Sequence, residues 1–499
     1  MACRKLVTES RLSSAGSTTH RHGSNPPPIK NLSFELLSKI FLECLPETGF
    51  PTPSTKVAPM LLSRICSHWR FVAMRTPQLW AGIDLDDHWE EDALHTSCPT
   101  HDYLKDAMAA EEWSTRAGLC LLSYRLWYTN PHFTIGMQNV LKVILSHHGR
   151  WRHITCYLPP SAWIEVFYAD VWSDAPHLQY LKIVGADSVG SAGVIEVPNP
   201  GSPKIHSLFL NQCDLWLAFA DTGAPLLRKV VVDNNSELTL DDCWSFLRHC
   251  PNLEVFAAYC ESREPLTPTS PTTHGKILEA GCLKKLHLEV KFADSSQLLD
   301  RFHAPALETL ELADYHTGGG PGPPSGYPQL ARFLSKSNAR LTSMNIDLDM
   351  TDDEFLDSFY HTPALTSLEL HNQWRFLSTD VMDSLIMRPM YPQKHVLPSL
   401  EHIAFTGVDP WMYESIEKIV QSRWGGSAGA GLSTTMGDEM SGGWERRLRS
   451  VHLHGSDSEL PSRVALRPMI MACIEEGLEV IEEPRRQSPF SAYLFSARL

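Results

Sequence analysis

The stretch Leu283-Lys284-Lys285-Leu286-His287-Leu288, repeated in spacing at Leu307-Glu308-Thr309-Leu310-Glu311-Leu312, decides how this chain folds. The last three positions alternate apolar, polar, apolar, which is the period of a strand with one buried face, and the first leucine closes the turn that leads into it. With the two quoted, the spacing occurs ten times, the others being Leu178-Leu181-Ile183, Ile205-Leu208-Leu210, Leu227-Val230-Val232, Leu253-Phe256-Ala258, Leu341-Met344-Ile346, Leu365-Leu368-Leu370, Leu400-Ile403-Phe405 and Leu448-Val451-Leu453. One unit alone leaves an open strand edge. Stacked units pair those edges and bury a continuous apolar ridge, so the spacing predicts a leucine-rich-repeat-like α/β solenoid, a curved parallel sheet with flanking helices, over most of 100–481.

The segments around the repeats agree. Ala304-Pro305, Cys250-Pro251 and Thr362-Pro363 stop a helix and set an extended entry to the next strand. Leu240 to His249 and Thr351 to Phe359 have helical spacing with acidic first turns that complement the helix dipole. Upstream, helices over 103–117 and 140–148 lead to strands at 119–126 and 151–157, and a helix from Ala465 to Ile481 is expected to close the array. Gly- and Pro-rich stretches near 264–275, 317–327 and 425–443 are expected surface insertions, and 482–499 a C-terminal tail.

Ahead of the repeats, Leu32-Ser33-Phe34-Glu35-Leu36-Leu37-Ser38-Lys39-Ile40-Phe41 places apolar groups at helical spacing. A second such run holds Leu61, Leu62, Ile65, Cys66, Trp69, Val72 and Ala73, with Arg64, His68, Arg70 and Arg75 between them, and ends at Thr76-Pro77. So small a unit cannot hide all these groups within itself, and part of its apolar surface requires a partner. Residues 1–30 are polar and expected to be disordered.

Leu-x-x-Glu-Leu-Leu-x-x-Ile-Phe, then Leu-Ser-Arg-Ile-Cys-Ser-His-Trp-Arg-Phe-Val-Ala and Thr-Pro-Gln-Leu-Trp, resembles an F-box of the kind common in mushroom-forming fungi, over 31–84. Ser33 stands where that family usually has Pro, and the Pro46 to Pro59 loop is longer than the minimal family form. Ser is itself a good helix-start residue. The resemblance implies an α+β protein: a small helical module that docks on a Skp-type adaptor, and through it on a cullin, followed by the solenoid. By position, Leu32, Leu36, Ile40, Leu61, Ile65, Trp69 and Trp80 would be the adaptor-facing and core-forming groups. It implies a substrate receptor of a ubiquitin ligase, working by proximity without catalytic residues of its own. The alternative is a solenoid scaffold whose helical start only caps the array.

The strand positions between the buried leucines point away from the core and are free to vary. Tyr180, Phe209, Lys285 and His287 put aromatic and positive groups there, and are the candidate residues for binding a protein substrate.

Composition narrows the classes. The 499 residues, 43% of them hydrophobic, support a sizeable core. A formal charge of −15 argues against a general nucleic-acid binder, which needs a basic face. No apolar run is long enough to span a bilayer and no secretion signal opens the chain, so no membrane partner and a cytoplasmic or nuclear location are expected. The 12 cysteines are scattered with no Cys-x-x-Cys pair, which suits free thiols in a reducing compartment. No motif calls for a metal, cofactor or catalytic group: Gly318-Gly319-Gly320 and Gly429-Ala430-Gly431 lack a phosphate-cradling context, and Asp347, Asp349, Asp352 and Asp353 fit an acidic helix start better than a cation loop.

Overall fold

The structure, a computed structural model, describes residues 32–87, 101–130, 134–159, 162, 175–185, 193–197, 204–211, 215–219, 223–235, 238–261, 277–292, 294–315, 326–371, 378–387, 396–424, 448–455, 464–465 and 467–484. The expectations for the 1–30 tail, the 264–275 and 425–443 insertions, nearly all of 317–327, and the tail beyond Pro484 lie outside these. The chain divides into two compact units, the first essentially residues 1–195 and the second 205–497. The described strands stand mainly in parallel ladders.

The first unit opens with the helix Phe34–Leu42, whose start is satisfied by Ser33: its Oγ accepts a hydrogen bond from the Leu36 amide at 3.4 Å. The second apolar run is broken rather than continuous. A 3₁₀ turn, Leu62–Arg64, precedes a helix Ser67–Met74 that begins where the Cys66 sulfur accepts from the Trp69 amide. Leu37, Phe41, Val72, Ala73 and Leu79 are buried, and the Phe41 and Trp69 rings meet at 5.0 Å. Strand Gly82–Asp86 follows and pairs in parallel with Leu122–Trp127, which pairs with Trp151–Leu158, and that with Tyr180–Gly185. Helices Tyr103–Arg116 and Ile135–Ser146 pack against each other beside this ladder. The second starts a turn earlier than its apolar spacing indicates, because Thr134 caps it and Gly136 lets it approach: a Cβ at Gly136 would lie 2.8 Å from the Cβ of Tyr103.

In the second unit the ladder runs through ten strands in the order Ser207–Asn211, Lys229–Asn235, Val255–Glu261, Lys285–Lys291, Thr309–Tyr315, Ser343–Asp347, Ser367–His371, His402–Val408, Ser450–Gly455 and Glu479–Pro484. Each occurrence of the repeat spacing places a strand that begins two residues after its first apolar position. Register is kept at the strand starts, so Leu286, Leu310, Met344, Leu368, Ile403 and Val451 form one buried rung. Leu288, Leu312, Ile346, Leu370, Phe405 and Leu453 form the next. Helices Ser296–Leu299, Pro328–Ser337, Asp352–Tyr360, Thr379–Ser384, Met412–Arg423 and Pro468–Glu475 pack each on the next along one side.

The closing helix is shorter than expected. It ends at Glu475 because Gly477 adopts φ 107°, which releases the chain into Glu479–Pro484 as a further strand. Earlier in the unit, Leu240–His249 begins with a capping box, Thr239 Oγ1 accepting from the Asp242 amide and Asp242 Oδ2 from the Thr239 amide at 2.9 Å. Replacing Thr239 by Ala is expected to lower the unfolding free energy by about 1 kcal/mol, measured by urea denaturation, with the ladder otherwise intact.

Candidate functional site

The helical module turns two faces in different directions. Along Phe34–Leu42, Leu37 and Phe41 are buried, whereas Leu36 and Ile40, one turn apart on the opposite side, are 53% and 44% exposed. Ile65 is 49% exposed, and Phe34, Val57, Phe71 and Met74 are exposed too. Lys39, Arg64, His68, Arg70 and Arg75 are exposed among them, the Arg75 guanidinium lying 4.7 Å from the Phe71 ring centroid. Leu32, Leu61 and Trp69 are half-buried. Trp80 is fully buried and is a core residue, not a contact surface. Its indole donates to the Ala73 carbonyl at 2.9 Å, meets Trp113 edge-on at 4.8 Å and lies under Arg116.

On the strand faces that point away from the leucine rungs, Tyr180 is half-buried and stacks on His153 with ring centroids 3.9 Å apart. Burial pushes the Tyr180 hydroxyl up to about 12, so it stays neutral. Sequence reasoning missed the matching pair one strand over, Trp127 on Tyr157 at 4.8 Å, because neither strand carries the repeat spacing. An aromatic at corresponding positions of two adjacent strands was the available signal.

The second unit's face holds the other three candidates. Lys285 is exposed. Phe209, expected to be an exposed anchor, is 2% exposed, and the Lys229 ammonium lies over its ring at 4.8 Å. Lys229 and Lys285 stand on one rung with Val255 between them, and burial, then the charge of Lys285, holds Lys229 below its usual range. His287 is likewise buried rather than presented. Its Nδ1 donates to Glu311 on the next strand at 2.5 Å and its Nε2 to Glu289 on its own strand at 3.3 Å. Burial works to lower its pKa, and the hydrogen bonds and charges of Glu289 and Glu311 outweigh that and raise it to about 9. The ring is therefore an imidazolium held between carboxylates.

Beside it is a recess lined by His287, Glu289, Glu311, Asn345, Asp347 and His371, with Ala313 leaving the space. His371 Nε2 lies 3.4 Å from Glu369, which accepts a hydrogen bond from Asn345 Nδ2 at 3.1 Å. Asp352, Asp353 and Glu354 fill the first turn of Asp352–Tyr360, while Asp347 belongs to the recess. Among the described residues no group of His, Cys, Asp and Glu has the arrangement of a metal site. Described cysteines are free thiols, Cys156, Cys243, Cys250, Cys260 and Cys473 among them buried. No described helix is long and apolar enough to cross a membrane. No protein-family model matches the chain, and no curated protein matches its sequence.

Proposed function

We propose that this chain is the substrate-recognition subunit of a Skp–cullin–F-box ubiquitin ligase. In this reading the helical module docks on a Skp-type adaptor and the outward strand faces hold a protein substrate in the cytoplasm or nucleus. The observation that carries it is the set of large apolar side chains left in water on the module, Leu36, Ile40, Ile65 and Phe71 each 44–53% exposed, beside a well-buried set on the same helices. Such a surface marks an interaction site. Basic side chains outnumber Glu35, Glu43 and Glu47 between Phe34 and Trp80, in a chain of net charge −15, which suits an acidic partner surface. Leu32, Leu61 and Trp69 are half-buried, Trp69 against the Phe41 ring, and Trp80 anchors the module to the helix Tyr103–Arg116.

The chain's work is then to hold one protein near another, which needs no reactive group of its own. The test is co-expression of the full chain with a tagged Skp-type adaptor and a cullin. A stable ternary complex on size exclusion is the expected result; a chain that elutes alone would favour the scaffold alternative and reject the ligase role.

A further inference from the structure

In the first unit the outward face of the ladder is organised in three rungs: Ser123, His153 and Tyr180; Arg125, Thr155 and Lys182; Trp127, Tyr157 and Val184. Neighbouring rungs on one face are about 7 Å apart and neighbouring strands about 4.8 Å. The stacked His153–Tyr180 and Trp127–Tyr157 pairs are therefore two aromatic walls, one on either side of the middle rung. Between them Thr155 is short and buried, its hydroxyl 3.2 Å from His153 Nε2, so the floor is low. Arg125 and Lys182 flank it, both half-buried.

Arg125 is already oriented. Its Nη1 donates to Asp84 Oδ2 at 2.7 Å, and its guanidinium lies 5.4 Å from the centroid of a Trp127 ring. Along the middle rung Asp84, Arg125, Thr155 and Lys182 together carry one net positive charge, with Asp86 on the next rung beside Trp127, in a chain of net charge −15. Burial, then the charges of Arg152 and Lys182, brings His153 down to about 3, which keeps its ring neutral and available for stacking.

We infer that this face is a docking socket for an acidic, aromatic-containing segment of a protein partner, with a carboxylate seated over Thr155 between Arg125 and Lys182 and a ring laid on the Trp127–Tyr157 pair. A single negative charge matches the small positive surplus, whereas a doubly charged phosphate would be left partly uncompensated. Half-exposed Trp, Tyr and Arg are the side chains that most often anchor protein interfaces. The inference names a substrate class for the receptor reading and rests on that reading for its biological use.

Fluorescence anisotropy of a labelled random glutamate–tyrosine copolymer, titrated with the full chain, tests it. Binding is expected to be salt-sensitive, weakened about tenfold in Lys182→Glu and about threefold in Lys182→Met, and to exceed that of a lysine–tyrosine copolymer. Trp127→Leu, which keeps every charge, should weaken it as well. Equal binding by the parent and Lys182→Glu, or preference for the lysine copolymer, would overturn the inference; so would much tighter binding of the tyrosine-phosphorylated copolymer. Adaptor co-purification on the same preparations separates the two claims, since its failure rejects the receptor reading and leaves the copolymer result standing.

Discussion

Leu36→Asp is expected to abolish co-purification with a Skp-type adaptor while leaving the chain folded. Leu36 is half in water already, so an aspartate there changes the free chain's stability by no more than about 0.5 kcal/mol. In a docked complex the same carboxylate would be desolvated without a partner, at a cost of about 3–5 kcal/mol, enough to remove binding at working concentrations. Ile40→Asp should behave alike. Leu37→Asp, one position along and fully buried, should instead unfold the module, and Trp80→Ala should cost about 3–5 kcal/mol through the cavity it leaves against Trp113. Thermal unfolding and pull-down together distinguish these outcomes. Adaptor retained by the Leu36→Asp chain would count decisively against the proposed function.

Removing the buried imidazolium should have the largest effect on the second unit. His287→Gln takes the positive charge from between Glu289 and Glu311, and breaking a buried pair in this way costs about 3–5 kcal/mol. The pH dependence has a definite sign. Folding raises the His287 pKa from 6.5 to about 9, so the folded state binds the proton more tightly than the unfolded one. The stabilisation is fully present below pH 6.5 and is lost as pH rises through about 9. Urea midpoints measured from neutral to alkaline pH should fall across that window in the parent and stay flatter in His287→Gln. Parallel curves would mean that the ring is neutral.

Most of the ladder was legible because its signal is redundant. A leucine that closes a turn, followed by two alternating apolar residues, leaves one assignment of faces, and a slip of one residue would put every leucine in water. The same parity correctly put Tyr180, Lys182, Lys285 and His287 on the outward side. Exposure was not legible, because it depends on neighbours from other strands: Lys229 over Phe209, Glu311 against His287. Sequence spacing carries no record of such neighbours. Gly136 concealed the first turn of Ile135–Ser146, since Gly is a poor helix former, though here its missing side chain is what lets Tyr103 pack close. The end of the last helix was written in Glu476-Gly477, but the apolar spacing that continues through Val480 and Ile481 fits a strand as well as a helix. In the module, an apolar position every third or fourth residue could not say that Leu37 turns inward and Leu36 outward.

The shared register also sets where this protein can lose or gain residues. Connectors as different as Lys291 to Thr309 and Val408 to Ser450 deliver the next strand to the same alignment at its start, so indels between strands are absorbed without shifting the frame. A single deletion inside Thr309–Tyr315 would act like a frameshift, putting neighbours such as Glu311 where Leu310 and Leu312 stand and casting this strand's share of the buried rungs into water. Homologous chains should therefore differ freely in length between their strands and almost never within them.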